Sequence, residues 1–470
     1  MWLAVLGLAA GALVGAMDPL AWAAAAVLAA VLAARRVLLA GHLVIGVMAF
    51  MGGQLAAAPE HPDVLGAIAK DVPHCEIRGH VLEHAGKLGT LIAVDLAACD
   101  GLNPIVDAGV VVTDELAHDA GTSVVSEGWL LPLTDDPWDR ARARTGATTV
   151  FETKEVDVIR APDGLLGVAS AVRRSLVAST SDLDMRRAAL VRGLTIGDTS
   201  DVDAMTEWQF RRTGLAHLVA VSGSNVAIVL GAIAALVRSF SPIARFGACL
   251  GALFIYVLVV GPEPSVLRAA AMGAVVLAGL AWGTRAEPLH ALGLALIVLV
   301  ALRPGLVTSV GLHLSAAATA GLVLWTRPLG TRLSRFLPLP VAYVLAATVS
   351  AQFAVAPIMA ITFGEVSVIA PLANLLAAFA VAPATVLGLT AALAGLAAPA
   401  LGTLVARASD PFAGWIIAVA ETLSRLSWAA IECPRWVGWL LAALVVAAAA
   451  ISLARRNLAP PSGAQLGSSS

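Results

Sequence analysis

A polytopic α-helical membrane protein of about 10–12 transmembrane helices, carrying an inserted small exported β-rich domain, is the fold class this sequence predicts. Two observations predict it. Of 470 residues 59% are hydrophobic and 13% charged, with a mean hydropathy of +0.86, and the apolar residues come in blocks separated by short turns containing Arg, Pro or Gly. Residues 59–160 hold 18 acidic and 8 basic side chains while residues 161–470 hold 13 and 20, so an acidic, water-compatible part is set into a basic membrane part.

Residues 1–58 contain three apolar segments, 1–17, 21–34 and 37–57, divided by Asp18-Pro19 and Arg35-Arg36. The positive-inside rule places Arg35 and Arg36 in the cytoplasm, hence the amino terminus inside and the end of the third segment outside. A cleaved signal peptide over residues 1–17 is the rival reading, against which stands the lack of a basic amino-terminal region. Both readings export residues 59–160.

In residues 59–160 the apolar runs are short and β-branched, at 75–83, 88–98, 110–113, 124–133 and 148–159. Five such runs between Gly, Pro and Asp turns suit a small β-barrel or a compact sheet. Cys75 opens the first run and Cys99 lies just past the second, so a hairpin brings them near each other, either as an oxidised pair or as two independent thiols. Cys249 and Cys433 fall in membrane-associated segments and read as packing residues.

Residues 161–213 alternate between apolar and basic, with Arg173, Arg174, Arg186, Arg187 and Arg192 spaced for amphipathic connecting helices lying along the membrane surface. Asp198, Asp201, Asp203 and Glu207 come next. Asp201 or Asp203 suits the N-cap of a short helix, and the spacing of the four carboxylates fits no calcium loop. No cofactor or metal is expected.

The membrane core, residues 214–400, reads as segments 215–237, 246–261, 265–283, 288–302, 306–326, 341–361, 366–380 and 382–398. Residues 401–456 add a long connection, with an interfacial helix at 411–431, and a final membrane helix at 437–454. Residues 457–470 form a flexible tail. Counting from an outside start at 215 puts Arg238, Arg245, Arg285, Arg327, Arg332, Arg335, Arg455 and Arg456 inside, as topology requires; Arg303 is the exception, and Arg407, Arg425 and Arg435 fall outside.

The run FRRTGLAHLVAVSGSNVAIVLGAIAALV at residues 210–237 reads as a near-spanning helix that carries His217, Ser222, Ser224 and Asn225 where lipid disfavours polar groups. Such a helix is expected to face protein or a water-filled path. On one continuous helix His217 and Ser224 share a face, but about 10 Å of rise separates them, too far for a nucleophile–base pair. Glu263 and Arg268, His313, Gln352 and Asn374 are further polar groups at membrane depth; helix–helix bonding is the plain alternative for Gln352 and Asn374. The dispersal of these residues excludes a compact acid–base set, so no enzyme is predicted.

The run Gly214-Leu-Ala-His217-Leu-Val-Ala-Val-Ser222-Gly-Ser-Asn225-Val resembles the signature of ComEC-type competence proteins. Leu194-Thr-Ile-Gly197-Asp198, Pro264-Ser265-Val-Leu-Arg268-Ala269, Gly311-Leu-His-Leu-Ser315, Gln352 with Pro357, Phe363-Gly364 with Ser367, and Asn374 are similar to the family's later landmarks in the same order. The likeness covers residues 164–400, and the amino-terminal part resembles the family's three-helix start with an exported OB-like domain.

That resemblance implies a channel for uptake of single-stranded DNA across the cytoplasmic (inner) membrane of a bacterium. A surface DNA receptor would supply the strand and a cytoplasmic helicase-like translocase would draw it in, with residues 59–213 outside. His217, Ser222, Ser224, Asn225, Arg268, Gln352 and Asn374 would lie on or support the DNA path. Many members continue into an exported metallo-β-lactamase-like domain. This sequence ends at Ser470 without that pattern, so strand degradation is expected to fall to a separate nuclease or a split-off domain. A secondary transporter or exporter of a smaller anionic solute is the alternative function. In the OB-like part a net charge of −10 and only Trp129, Trp138 and Phe151 as aromatics argue against strand binding, despite Arg140, Arg142 and Arg144.

Overall fold

Five β-branched runs become five strands: β1 (His74–His84), β2 (Thr90–Cys99), β3 (Ile105–Thr113), β4 (Ser123–Pro132) and β5 (Thr149–Arg160). They close into a barrel in the order β1-β2-β3-β5-β4, with a parallel β3–β5 contact at Val111↔Thr149. This is an OB-like connection, and it leaves no open sheet edge. Period-two alternation builds the core: on β4, Val124, Ser126 and Leu130 point inward while Glu127 and Trp129 point out. Phe151, Ile77 and Leu130 fill the interior, and helix α1 (Val64–Ala69) adds the buried Leu65 and Ala69 to the same cluster. Cys75 and Cys99 are directly opposed on β1 and β2 and form a disulfide, which decides between the two expected states.

The computed structural model describes residues 64–458 except 85–88, 114–118, 135–138, 140–141, 143–146, 220, 222, 262, 282–286, 303–305 and 308. The expected helices of residues 1–58, together with Ser222, Trp138, Arg140, Arg144, Arg285, Arg303 and the tail 459–470, lie outside the described residues.

After the barrel come α2 (Gly164–Ser179), α3 (Met185–Ile196), α4 (Ala204–Arg212), a 3₁₀ turn (Ala216–Leu218) and α5 (Gly223–Leu236). Next are α6 (Pro242–Val260), α7 (Pro264–Ala281), α8 (Pro288–Leu302), α9 (Val310–Leu333) and α10 (Leu339–Phe363). A short β6 (Glu365–Ser367) pairs with β7 (Ala430–Glu432), enclosing α11 (Ala370–Ala397) and α12 (Pro399–Ser424) between them, and α13 (Arg435–Leu458) ends the described chain. Among the described residues four helices, Pro242–Val260, Leu339–Phe363, Ala370–Ala397 and Arg435–Ala454, are long and apolar enough to cross a membrane. The molecule therefore joins a helical region with several membrane-spanning helices to a small closed β-barrel, as expected of a polytopic membrane protein. On α11, Leu372, Phe379, Val386 and Leu393 recur at a seven-residue spacing and are all exposed, a stripe suited to lipid.

Four expectations need correction. Residues 210–237 are not one helix: Gly214 takes φ +71 after α4, and the chain passes through the 3₁₀ turn before α5 begins at Gly223. His217 and Ser224 therefore do not share a helix face. Alone, the 14 residues of α5 extend about 21 Å, short of the roughly 30 Å hydrocarbon slab. Second, segments 366–380 and 382–398 are one helix, α11, with Pro383 inside it; neighbouring helices make such a proline tolerable. Third, the expected interfacial helix at 411–431 is the second half of α12, which starts at Pro399 and packs along α11.

Fourth, α3 does not lie along a surface, since every residue from Ala188 to Ile196 except Arg192 is buried. Its neighbouring arginines pair within the protein: Arg187 with Asp410 (2.6 Å), Arg186 with Thr206 (2.8 Å), Gln209 (2.8 Å) and Asp203, and Arg192 with Asp201. Arg173 links the barrel to the helical region, reaching Asp119 at 3.3 Å and the Val259 carbonyl at 2.9 Å.

Asp203, not Asp201, caps α4, its carboxylate accepting from the Thr206 backbone N–H (2.9 Å) and from the Thr206 hydroxyl. Burial alone would raise its pKa, but these hydrogen bonds and the Arg186 charge outweigh burial and hold it below the ordinary 3.8. With the folded pKa below the unfolded one, the stabilisation is complete above pH 3.8 and is lost as pH falls through the folded pKa. Asp203→Asn is expected to make hydrogen exchange in α4 less sensitive to acid between about pH 5 and pH 2 than in the wild type.

Candidate functional site

The break between α4 and α5 is where the polar membrane residues converge. Leu215 and Leu218 are buried in the cluster containing Leu190, Leu194, Phe210 and Ala373, which anchors the segment. His217, on the 3₁₀ turn between them, is exposed.

From one side α3 and α7 grip the turn. Gly193 meets the Val219 carbonyl so closely that a Cβ there would lie 2.1 Å from its oxygen. Asn225, fully buried, donates its amide to the Leu194 carbonyl at 2.8 Å. The Ser265 hydroxyl donates to the Val221 carbonyl at 3.0 Å. Arg268, 6% exposed, reaches across to α9, with Nε 2.8 Å from Ser315 Oγ and Nη1 3.4 Å from Met272 Sδ. The guanidinium thus turns toward Ser315. Ser224 lies in the first turn of α5, its side chain outside what is described.

On the other side, Gln352 Nε2 donates to the Ser367 carbonyl at 3.1 Å and the Ser367 hydroxyl donates to the Arg212 carbonyl at 2.9 Å. Arg212 in turn binds three carbonyls at and just beyond the end of α12: Ser424 (3.0 Å), Leu426 (3.2 Å) and Ser427 (3.1 Å). Asn374 donates to its own helix at Ala370 (2.9 Å) and, at the limit of bonding, to Gly214 (3.5 Å). No side chain fits at 214, because a Cβ would lie 2.4 Å from that of Ala370.

The structure therefore forms two stations joined by residues 213–221, one around Asn225 and Arg268 and one around Gln352 and Asn374. Three of the four nominated amides and guanidinia, those of Asn225, Gln352 and Asn374, donate to backbone carbonyls; Arg268 donates to a hydroxyl and a thioether. Arg212 and Gly193 escaped sequence reasoning. Arg212 was visible only as one charge in FRRTG, and Gly193 gave no local signal.

Compared with known families, residues 194–457 match the family described as Competence protein, more than half of the chain. The chain belongs to the competence protein family. The match begins at Leu194, the residue whose carbonyl Asn225 holds, and runs to the end of α13, so the family-defining region is the helical part and the barrel lies outside it. A curated relative, ComE operon protein 3 of Bacillus subtilis (strain 168), is 27% identical over 209 residues, which cover 44% of this chain and 26% of that protein. The similarity thus spans about a quarter of the relative's length. No solved structure matches. Among the described residues of this competence family member, no group of three or more His, Cys, Asp or Glu is placed to hold a metal ion.

Proposed function

We propose that this chain forms the conduit through which one DNA strand crosses a bacterial cytoplasmic membrane during natural transformation. The observation that carries the reading is the break between α4 and α5 inside the family-matched region, with His217 exposed there between the buried Leu215 and Leu218. Broken helices expose backbone and polar groups at membrane depth only where they line a cavity or pack within protein. In this reading His217 forms wall and Arg268 borders the path, and Ser222 and Ser224 are assigned to the path on their place in the sequence alone. Asn225, Gln352 and Asn374 hold the wall in place through their backbone bonds.

The fuller architecture proposed here has about 10–12 crossings once the segments of residues 1–58 are counted, with the barrel on the outer face. Of residues 59–213, only the barrel is assigned to the outside, because α3 is buried in the helical bundle. Partners would be a surface DNA receptor, a cytoplasmic helicase-like translocase and a separate nuclease. The barrel is assigned to docking or sealing. One groove of the barrel, about 1200 Å³, is lined by Glu76, Glu127, Glu152 and Asp157 around a half-exposed Trp129, with Arg78 already paired to Glu76, and Phe151 is buried in the core. That surface repels a polyanion.

The test is uptake of labelled DNA into a nuclease-protected state in cells carrying His217→Trp, with membrane protein levels matched to wild type. The added bulk is expected to cut uptake on the order of tenfold or more, and His217→Cys is expected to crosslink to an incoming strand carrying a thiol-reactive group. Normal uptake by His217→Trp together with no crosslink at residue 217 would overturn the conduit and favour carriage of a smaller anionic solute.

A further inference from the structure

The start of α5 carries an uncompensated charge. Arg268 is 6% exposed, and its described partners, the Ser315 hydroxyl and the Met272 thioether, are neutral. Its remaining nitrogen, Nη2, has no acceptor among the described residues and is aimed at Gly223, where a Cβ would lie 2.9 Å from it. Gly223 is the first residue of a 14-residue helix, whose first-turn N–H groups lack intrahelical acceptors and form its positive end. A buried cation placed against a positive helix end raises the cost of both, and no carboxylate among the described residues pairs with this guanidinium. An anion that touches both restores the balance.

We propose that Arg268 Nη2 and the amino-terminal backbone of α5 together bind one phosphate-type oxyanion. Under the function proposed above, on which this assignment rests, that oxyanion is a backbone phosphodiester of the strand in transit. Three features pre-shape the site. The missing side chain at Gly223 leaves the helix start open to the guanidinium, Ser315 fixes the fork through Nε, and Ser265 fixes the turn by holding the Val221 carbonyl. A planar guanidinium presents directed donors to phosphate oxygens, which a lysine ammonium does not.

The full chain in lipid nanodiscs of phosphatidylcholine alone, and of phosphatidylcholine with phosphatidylglycerol, would be titrated with inorganic phosphate, a short single-stranded oligothymidylate and its uncharged methylphosphonate analogue. Binding of the oligothymidylate is expected in both lipids, weakened on the order of tenfold or more by the uncharged backbone, by Arg268→Lys and by Gly223→Ala. Phosphate is expected to raise the thermal midpoint of the wild type and not of Arg268→Lys, a readout that holds even where one variant folds poorly. Phosphate binding that depends on Arg268 without oligothymidylate binding would uphold the anion site and sink its assignment to a strand. Binding of oligothymidylate and phosphate in phosphatidylcholine that is lost when phosphatidylglycerol is present would assign the site to a lipid headgroup and overturn the strand assignment. Equal oligothymidylate and phosphate binding by folded wild type, Arg268→Lys and Gly223→Ala, or no binding of either ligand by the wild type, would overturn the site, whereas the conduit reading stands or falls separately on residue 217.

Discussion

Replacing Gly193 by alanine is expected to destabilise the helical region by about 3 kcal/mol, although the same change in a free helix is worth up to about 1 kcal/mol of stabilisation. The reversal comes from one contact. A Cβ at 193 would sit 2.1 Å from the Val219 oxygen and 3.2 Å from its carbonyl carbon, both backbone atoms that no rotamer change can move. Relief requires α3 to separate from the 216–221 segment, which also breaks the Asn225 bond to the Leu194 carbonyl. Gly251→Ala on α6 is the matched control, because nothing lies within 4 Å of its Cβ position. Thermal unfolding of the purified chain should move down for the first variant and stay level or rise for the second. Equal shifts for both would mean that α3 does not clamp the turn.

Removing the Cys75–Cys99 bridge should loosen the barrel by about 3 kcal/mol, the chain-entropy value for closing a loop of this length; the two cysteines are 24 residues apart. Because barrel and helical region need not unfold together, the readout is local. Hydrogen exchange in β1 and β2 of Cys75→Ala/Cys99→Ala is expected to quicken on the order of a hundredfold, with exchange in α10 and α11 unchanged. Both cysteines lie in the barrel core, so part of the loss is lost packing. Dithiothreitol treatment of the wild type separates the two contributions. Exchange in β1 and β2 that responds to neither treatment would show that the bridge does not hold the hairpin.

The barrel was legible because its signals are local. Val, Ile and Thr alternation marked each strand, and the positions of Cys75 and Cys99 foretold that a hairpin would bring them close. Whether they bonded needed the strand register, which pairs them directly. The site was legible as residue types and not as geometry. The GLAHLVAVSGSNV run singled out the segment that the structure breaks, but adding up hydropathy treats residues 210–237 as one rod, since the measure is blind to backbone conformation. Gly214 at φ +71 and the open start at Gly223 break that rod. The arginines of residues 173–192 looked available for a membrane surface because their partners, Asp410 for Arg187 and the Val259 carbonyl for Arg173, are far along the chain.

By itself the sequence determined the membrane class, the positions of most helices, the acidic β-rich insert and the family likeness, because apolar length, strand alternation and motif order are properties of neighbouring residues. Tertiary structure alone decided that the signature segment is broken, that Arg268 faces a helix start, and that Arg212 ties α4 to the end of α12. Each of these depends on which distant groups satisfy a buried polar atom, and burial makes that choice costly to leave open.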